Sequence, residues 1–229
     1  MRHLAVLGPG LLGGSVALAA RSLGTLGKVS LWARRSEVLA ELRASDVADV
    51  VSNDIGEVVA NADLVVIATP VGALEAVLEA ALPFLPEGAV ITDVCSVKMA
   101  VVTGADAVIA DSSRDDVSFV GAHPMAGSEL TGFANARADL FQGAACAITS
   151  GKSSTEPAEA MVEDFWCSLG CSLFRLDPSE HDKLVAAVSH LPHVVASALV
   201  QTVMSNDRQV VGLAGAGFRD TTRIAAGSP

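Results

Sequence analysis

Residues 4–20, Leu4-Ala5-Val6-Leu7-Gly8-Pro9-Gly10-Leu11-Leu12-Gly13-Gly14-Ser15-Val16-Ala17-Leu18-Ala19-Ala20, decide the fold. Leu4 to Leu7 is a short apolar run of the kind that makes a strand covered on both faces. Gly8, Gly10 and Gly13 follow as G-x-G-x-x-G, and Ser15 to Arg21 reads as helix. The first glycine permits a tight turn, the second lets backbone approach a pyrophosphate, and the third lets helix and strand pack closely. The pyrophosphate then rests on N–H groups at the helix N-terminus. Three glycines alone are a weak signal; the strand before and the helix after make them a dinucleotide-binding turn. Met1-Arg2-His3 ahead of an apolar run also resembles a secretory leader, and the uncharged length a membrane span. The glycines and the proline inside the run argue against both.

With 229 residues, the chain is long enough for one large domain or two modest ones. Hydrophobic residues make up 51% and charged residues 18%, and mean hydropathy is +0.47. The apolar excess lies in short runs broken by Gly, Pro and Asp, which points to buried strands and helices, with apolar area left for a subunit interface. A net charge of −11 disfavours nucleic acid, whose phosphates need a basic surface. A local basic pocket for an anionic substrate remains compatible with it. Cys95, Cys146, Cys167 and Cys171 show no zinc or redox spacing, and Cys167 and Cys171, one helical turn apart, read as small core residues. A reducing cytoplasm is the expected compartment.

Further strands are expected at Lys28–Ala33, Val50–Val51, Asp63–Ala68, Ala89–Asp93, Ser118–Gly121 and Gly143–Thr149, with helices between them. Ser36 is expected to cap a helix over Glu37–Ala44, and Pro83 and Pro86 to stop one begun at Val71. Strands alternate with helices to about Ser150, so the fold class is α/β, a doubly wound Rossmann-type domain. Ala158–Gly170 reads as helix and Cys171–Leu176 as a strand that can rejoin the sheet. From Asp177-Pro178 a long apolar helical stretch begins, as in a bundle or dimer core. The expected domains are 1–176 and 177–229, the second all-helical and dimerising.

The end of the second strand bears on the cofactor. An NAD-binding unit carries an acidic residue there for the ribose 2′-hydroxyl. Here the position is Ala33, followed by Arg34 and Arg35. Without a carboxylate to repel a 2′-phosphate, and with Arg34 able to pair with one, the sequence favours NADP over NAD. Thr69 and Pro70 end another strand at the edge where such sheets bind ligands. With Gly8, Gly10, Leu11, Leu12 and Gly13 they complete the expected cofactor set.

Strand ends also carry Ser96, Lys98, His123, Ser128 and Glu129, while His190 and His193 lie within a helix. The two helical histidines are one turn apart, but no third metal ligand accompanies them. His3 and His181 read as surface or packing residues.

These residues carry a resemblance. Gly-Pro-Gly-Leu-Leu-Gly-Gly-Ser, Ala-Thr-Pro-Val, Thr-Asp-Val-Cys-Ser-Val-Lys, Ala-His-Pro-Met-Ala-Gly-Ser-Glu, Ser-His-Leu-Pro-His and Gly-Phe-Arg-Asp-Thr-Thr-Arg-Ile-Ala occur in that order. The whole resembles the prephenate/arogenate dehydrogenase family of tyrosine biosynthesis. The resemblance implies oxidation of a cyclohexadienol at its ring C4 hydroxyl, hydride passing to NAD or NADP and the ring carboxylate leaving as CO2. The product is 4-hydroxyphenylpyruvate, or tyrosine from arogenate. It implies His123 as the base, a role suited to an imidazole with an ordinary pKa of about 6.5. Ser96 would bond the same hydroxyl or orient the imidazole, and His190 would contact substrate. Arg223 would bind a substrate carboxylate, Ser128 would line the substrate site, Glu129 would gate it, and Asp220 would support a homodimer contact. Relatives with a similar two-domain plan that act on β-hydroxy acids use a lysine in the helical domain; nothing around Lys183 resembles their motif. A non-catalytic nucleotide sensor would not need this set of strand-end polar residues. Family members usually continue past the Gly-Phe-Arg-Asp segment with more helices, so the helical domain is expected to be cut short at its C-terminus here, either as a truncated piece or as a short member of the family.

Overall fold

The apolar runs become the central strands of a sheet because each is covered on both faces. Leu4, Ala5, Val6 and Leu7, like Leu64, Val65, Val66 and Ile67, are fully buried or within 1% of it. In the computed structural model, residues 2–24, 27–128, 130–206 and 208–226 are described. The elements in chain order are β1 (His3–Leu7), α1 (Leu11–Ser22), β2 (Lys28–Trp32), α2 (Ser36–Ala44), β3 (Val50–Ser52), α3 (Ile55–Val59), β4 (Leu64–Ile67), α4 (Leu74–Ala81), β5 (Val90–Asp93), α5 (Met99–Asp111), β6 (Ser118–Pro124), β7 (Ala145–Ser150), α6 (Glu156–Ser168), β8 (Ser172–Arg175), α7 (Pro178–Val185), α8 (Leu191–Asn206) and α9 (Ala216–Thr222). The chain forms two compact units, Met1–His181 and Asp182–Pro229.

In the first unit, the described residues build an eight-stranded sheet in the order β3-β2-β1-β4-β5-β6-β7-β8. Strands β1 to β6 run parallel to one another; β7 pairs antiparallel with β6, and β8 runs in the same direction as β7. Strand order reverses between β1 and β4, and such a switch point opens a crevice at the carboxyl ends of the strands. Two apolar layers cover the sheet. One includes α1 and α6 through Val16, Ala20, Val162 and Trp166; the other includes α4 and α5 through Leu78, Val101 and Ile109. The last strand of the sheet is β8, joined in parallel to β7, so Gly143–Thr149 is not its edge.

Several local expectations change. Ser36 lies inside α2, not before it; Arg35 is the capping position, and the Ser36 hydroxyl bonds Glu37 Oε1 at 3.2 Å. Cys167 and Cys171 do not share a helix turn, because α6 ends at Ser168 and Gly170 turns the chain with φ of +95°. Cys167 is exposed and only Cys171 is buried. His3 is a packing residue, bonded through Nε2 to the Ser30 hydroxyl at 2.7 Å, and burial lowers its basicity.

The second unit is helical. Between α7 and α8 the backbone makes one π turn over Ala186–His190. Pro192 follows as the second residue of α8; it lacks an N–H, and its ring crowds the preceding turn, so the regular ladder is interrupted there.

Candidate active site

The glycine turn has the geometry its sequence requires. Gly8 has φ of +93°, and a Cβ there would come within 2.9 Å of the Thr69 side chain. A Cβ on Gly13 would sit 2.5 Å from the Gly8 carbonyl oxygen and 2.9 Å from Ala68 Cβ, so α1 rests directly on the turn. A Cβ on Gly10 would meet nothing within 4 Å. These contacts separate two variants. Gly13→Val is expected to lower thermal stability as well as dinucleotide affinity, because overpacking of this kind costs about 1–3 kcal/mol. Gly10→Ala is expected to leave the melting temperature in place and weaken only the dinucleotide, as read by calorimetric titration.

Beside this turn lies a cleft of about 370 Å³ lined by Gly8, Gly10, Ala33, Arg34, Arg35, Thr69, Pro70 and Phe133, among others. A second cavity of about 350 Å³ shares Trp32, Arg34, Thr69 and Pro70 and reaches Ile55 and Ala73. Thr69 Oγ1 is buried with no hydrogen-bond partner among the described residues. An orphaned hydroxyl at a strand end, an open backbone cradle at Gly10 and a groove rimmed by two arginines suit a dinucleotide. Leu11 and Leu12 open α1, half-buried. Arg34 and Arg35 are exposed, and Ala33 beside them is buried.

His123 stands at the same edge of the sheet. Leu7 is level with Ile67, and Ile67 with Asp93. Thr92 pairs with Val120, so Gly121 is level with Asp93 and His123 lies two residues beyond. The strand therefore runs through His123 instead of stopping at Gly121. On its other side His123 pairs with Ala147 of β7.

Beyond Thr92 the β5–β6 ladder ends, and a buried ion pair takes its place. Asp93 and Lys98 are both fully buried and bonded, Lys98 Nζ to Asp93 Oδ2. Lys98 Nζ also donates to the Ala122 carbonyl at 2.9 Å. Asp93 Oδ1 accepts the Ala122 N–H at 3.0 Å, and Oδ2 accepts the Cys95 N–H at 2.8 Å. Both backbone groups of the residue before His123 are thus tied to one ion pair. Lys98, a strand-end candidate for chemistry, is a structural cation. Burial, and then the Asp93 carboxylate, push the Cys95 thiol up to about 12, so it stays protonated beside Ser96.

His123 Nδ1 lies 2.9 Å from His181 Nε2, and His181 is fully buried. His181 is therefore neither a surface nor a plain packing residue. Ser96 and Ser128 are exposed, and the Ser128 hydroxyl accepts the Leu130 N–H at 3.1 Å. Glu129 lies outside the described residues. His190 and Arg223 belong to the helical unit, where both are exposed. His193 Nδ1 donates to the Ser189 carbonyl at 2.9 Å.

Comparison with known proteins gives the family. The prephenate dehydrogenase nucleotide-binding domain model matches residues 16–174, and the prephenate dehydrogenase dimerization domain model matches residues 177–229. The chain belongs to the prephenate dehydrogenase family. It is 32% identical over 232 residues to a cyclohexadienyl dehydrogenase of Zymomonas mobilis, covering all of this chain and 78% of that protein. It is 34% identical to a prephenate dehydrogenase of Bacillus subtilis, covering 97% of this chain and 60% of that one. The solved prephenate dehydrogenase of A. aeolicus, in complex with hydroxyphenyl propionate and NAD+, superposes with a TM-score of 0.90 at 29% identity, over 100% of this chain and 79% of that one. A Synechocystis arogenate dehydrogenase gives 0.85 at 28%, over 99% and 80%. In this member of the prephenate dehydrogenase family, the residue that sequence reasoning missed is His181. No local pattern marks it: His181 is buried beside His123 only because of where the start of α7 packs.

Proposed function

We propose that this chain catalyses the NAD(P)-dependent oxidative decarboxylation of prephenate, or the corresponding oxidation of arogenate, with His123 as the base. The observation that carries the reading is a buried imidazole at the carboxyl edge of the sheet, its backbone held on both sides, on the same edge as the glycine turn. When bound, the nicotinamide supplies a hydride acceptor. Gly8, Gly10, Leu11, Leu12 and Gly13 would hold the pyrophosphate, and Thr69 and Pro70 would line the groove.

His123 takes the hydroxyl proton, so that the oxygen can become a carbonyl as hydride leaves the ring carbon. Ser96 bonds the same hydroxyl or orients the imidazole. On the strength of their motifs, His190 and Ser128 are assigned to substrate contact, Glu129 to gating, and Arg223 to a substrate carboxylate through a charge-assisted pair. The test is the growth of reduced-nicotinamide absorbance with prephenate and arogenate, each crossed with NAD and NADP. No turnover with any pair would end the reading.

We further propose a preference for NADP. Arg34 and Arg35 stand exposed at the groove, and Ala33 supplies no carboxylate to hold a ribose hydroxyl. Arg34→Asp is expected to weaken NADP by at least tenfold more than NAD, since it replaces an attractive charge with a repulsive one. Equal losses for the two cofactors would refute the 2′-phosphate contact.

A homodimer through the helical unit completes the proposal. Val188, Leu191, Val194 and Val195 are each more than half exposed in the single chain. The run Pro178–Ser205 is long and apolar enough to cross a membrane by length and composition, with a mean hydropathy of 1.5. The match to a dimerization domain favours a second copy of the chain as the cover for this face. Sedimentation at several concentrations tests it.

A further inference from the structure

We infer that His181 is a positioning residue for His123: it accepts the Nδ1 proton of His123 and so fixes the tautomer in which Nε2 can take the substrate proton. The inference rests on the proposed role of His123. At 2.9 Å, one proton fits between the two nitrogens. If His181 donates it, a neutral His123 carries its own proton on Nε2 and cannot act as a base. If His123 donates it, Nε2 holds the lone pair. Only the second state is productive. Proton uptake then leaves an imidazolium whose Nδ1–H still points at a neutral acceptor, and such a charge-assisted bond is shorter and stronger than a neutral one. The rings meet edge-on, with centroids 5.1 Å apart and planes at 68°, so the contact is a hydrogen bond and not a stack.

The sequence builds the holder for His181 locally. Asp177 Oδ1 accepts the Ser179 N–H at 2.8 Å and the Glu180 N–H at 3.3 Å, capping α7. Pro178 takes the first helical position, where its missing N–H costs nothing. The Asp177 carbonyl accepts the His181 N–H at 2.8 Å. His181 therefore sits in a fixed first turn, while His123 is pinned through Ala122 and β7. Among the described residues, the other titratable groups near the pair include Asp93 and Lys98, bonded to Ala122, the Cys146 thiol on β7 opposite Pro124, and the Cys171 thiol bonded to Cys146. Glu180 and Asp182 flank His181 in sequence.

The test uses the full chain with ¹⁵N-labelled histidine. In the wild type at alkaline pH, His123 is expected to be protonated on Nδ1 and bare on Nε2. His181→Phe removes the acceptor: the His123 tautomer is expected to shift toward Nε2–H, and kcat to fall by about 10²-fold with KM nearly unchanged. The acid limb of the kcat profile should move to lower pH, because the imidazolium loses its partner. His181→Asp restores an acceptor, carries a charge, and should move that limb to higher pH. An unchanged tautomer and an unchanged limb in His181→Phe would overturn the inference. If that variant does not fold, an unmoved limb in His181→Asp overturns it instead. The spectra are independent of turnover: a wild type with the Nδ1–H tautomer and no activity on either substrate keeps the inference and ends the proposed function.

Discussion

Replacing His123 by Asn is expected to lower turnover by about 10²–10⁴-fold, the usual worth of a positioned general base. Asn keeps polar atoms in the pocket but has no lone pair basic enough to take an alcohol proton. The loss should fall on kcat. Dinucleotide affinity should stay within a few-fold of the wild type, because the groove residues Gly8, Gly10 and Thr69 follow β1 and β4, whereas His123 belongs to β6. Steady-state kinetics and nucleotide titration by intrinsic fluorescence measure the two quantities separately. Turnover within tenfold of the wild type would remove His123 from the base role, whatever the glycine turn binds.

The second large effect is on stability. Lys98→Met is expected to destabilise the first unit by about 3–5 kcal/mol, the usual cost of leaving one member of a buried ion pair uncompensated. For a chain of this length, that corresponds to a fall in melting temperature on the order of 10 °C. Asp93 would then be a buried carboxylate without its cation, still accepting from the Ala122 and Cys95 N–H groups. Asp93→Asn should cost a similar amount, because it strands the Lys98 ammonium. The double variant should lose less than the sum of the two, since neither charge remains. Additive losses in urea unfolding would mean that the two side chains act independently of each other.

Activity should follow the same pair. Ala122 is bonded at both its N–H and its carbonyl by Asp93 and Lys98, and His123 is the next residue. A Lys98 variant that still folds should therefore lose rate as well as stability, through misplacement of the imidazole rather than loss of a reacting group.

Much of the fold was legible because its causes are local. Leu4–Leu7 and Leu64–Ile67 read as buried strands from composition alone, and the Gly8, Gly10 and Gly13 spacing announced a turn of defined shape. Where local signals competed, reading failed. Ser36 looked like a cap, but the chain enters α2 one residue earlier, and Arg35 takes that place. Cys167 and Cys171 looked like neighbours on one helix, until Gly170 reversed the chain between them.

Candidate site residues were legible only as a set of polar groups at strand ends. Lys98 and His123 carried the same mark in the sequence, yet one is a buried counter-ion and the other stands at the sheet edge. The difference arises where β5 and β6 separate after Thr92 and Val120, and no residue pattern announces that separation.

By itself, then, the sequence determined the alternating layers, the nucleotide turn and the polar residues at the carboxyl edge, since these follow from hydrophobic period and glycine sterics within short windows. Tertiary structure alone decided that Asp93 and Lys98 replace a rung of the sheet, and that His181 meets His123 across 58 residues of chain. Hydrogen bonds of that kind depend on where two elements pack, and packing is a property of the whole core.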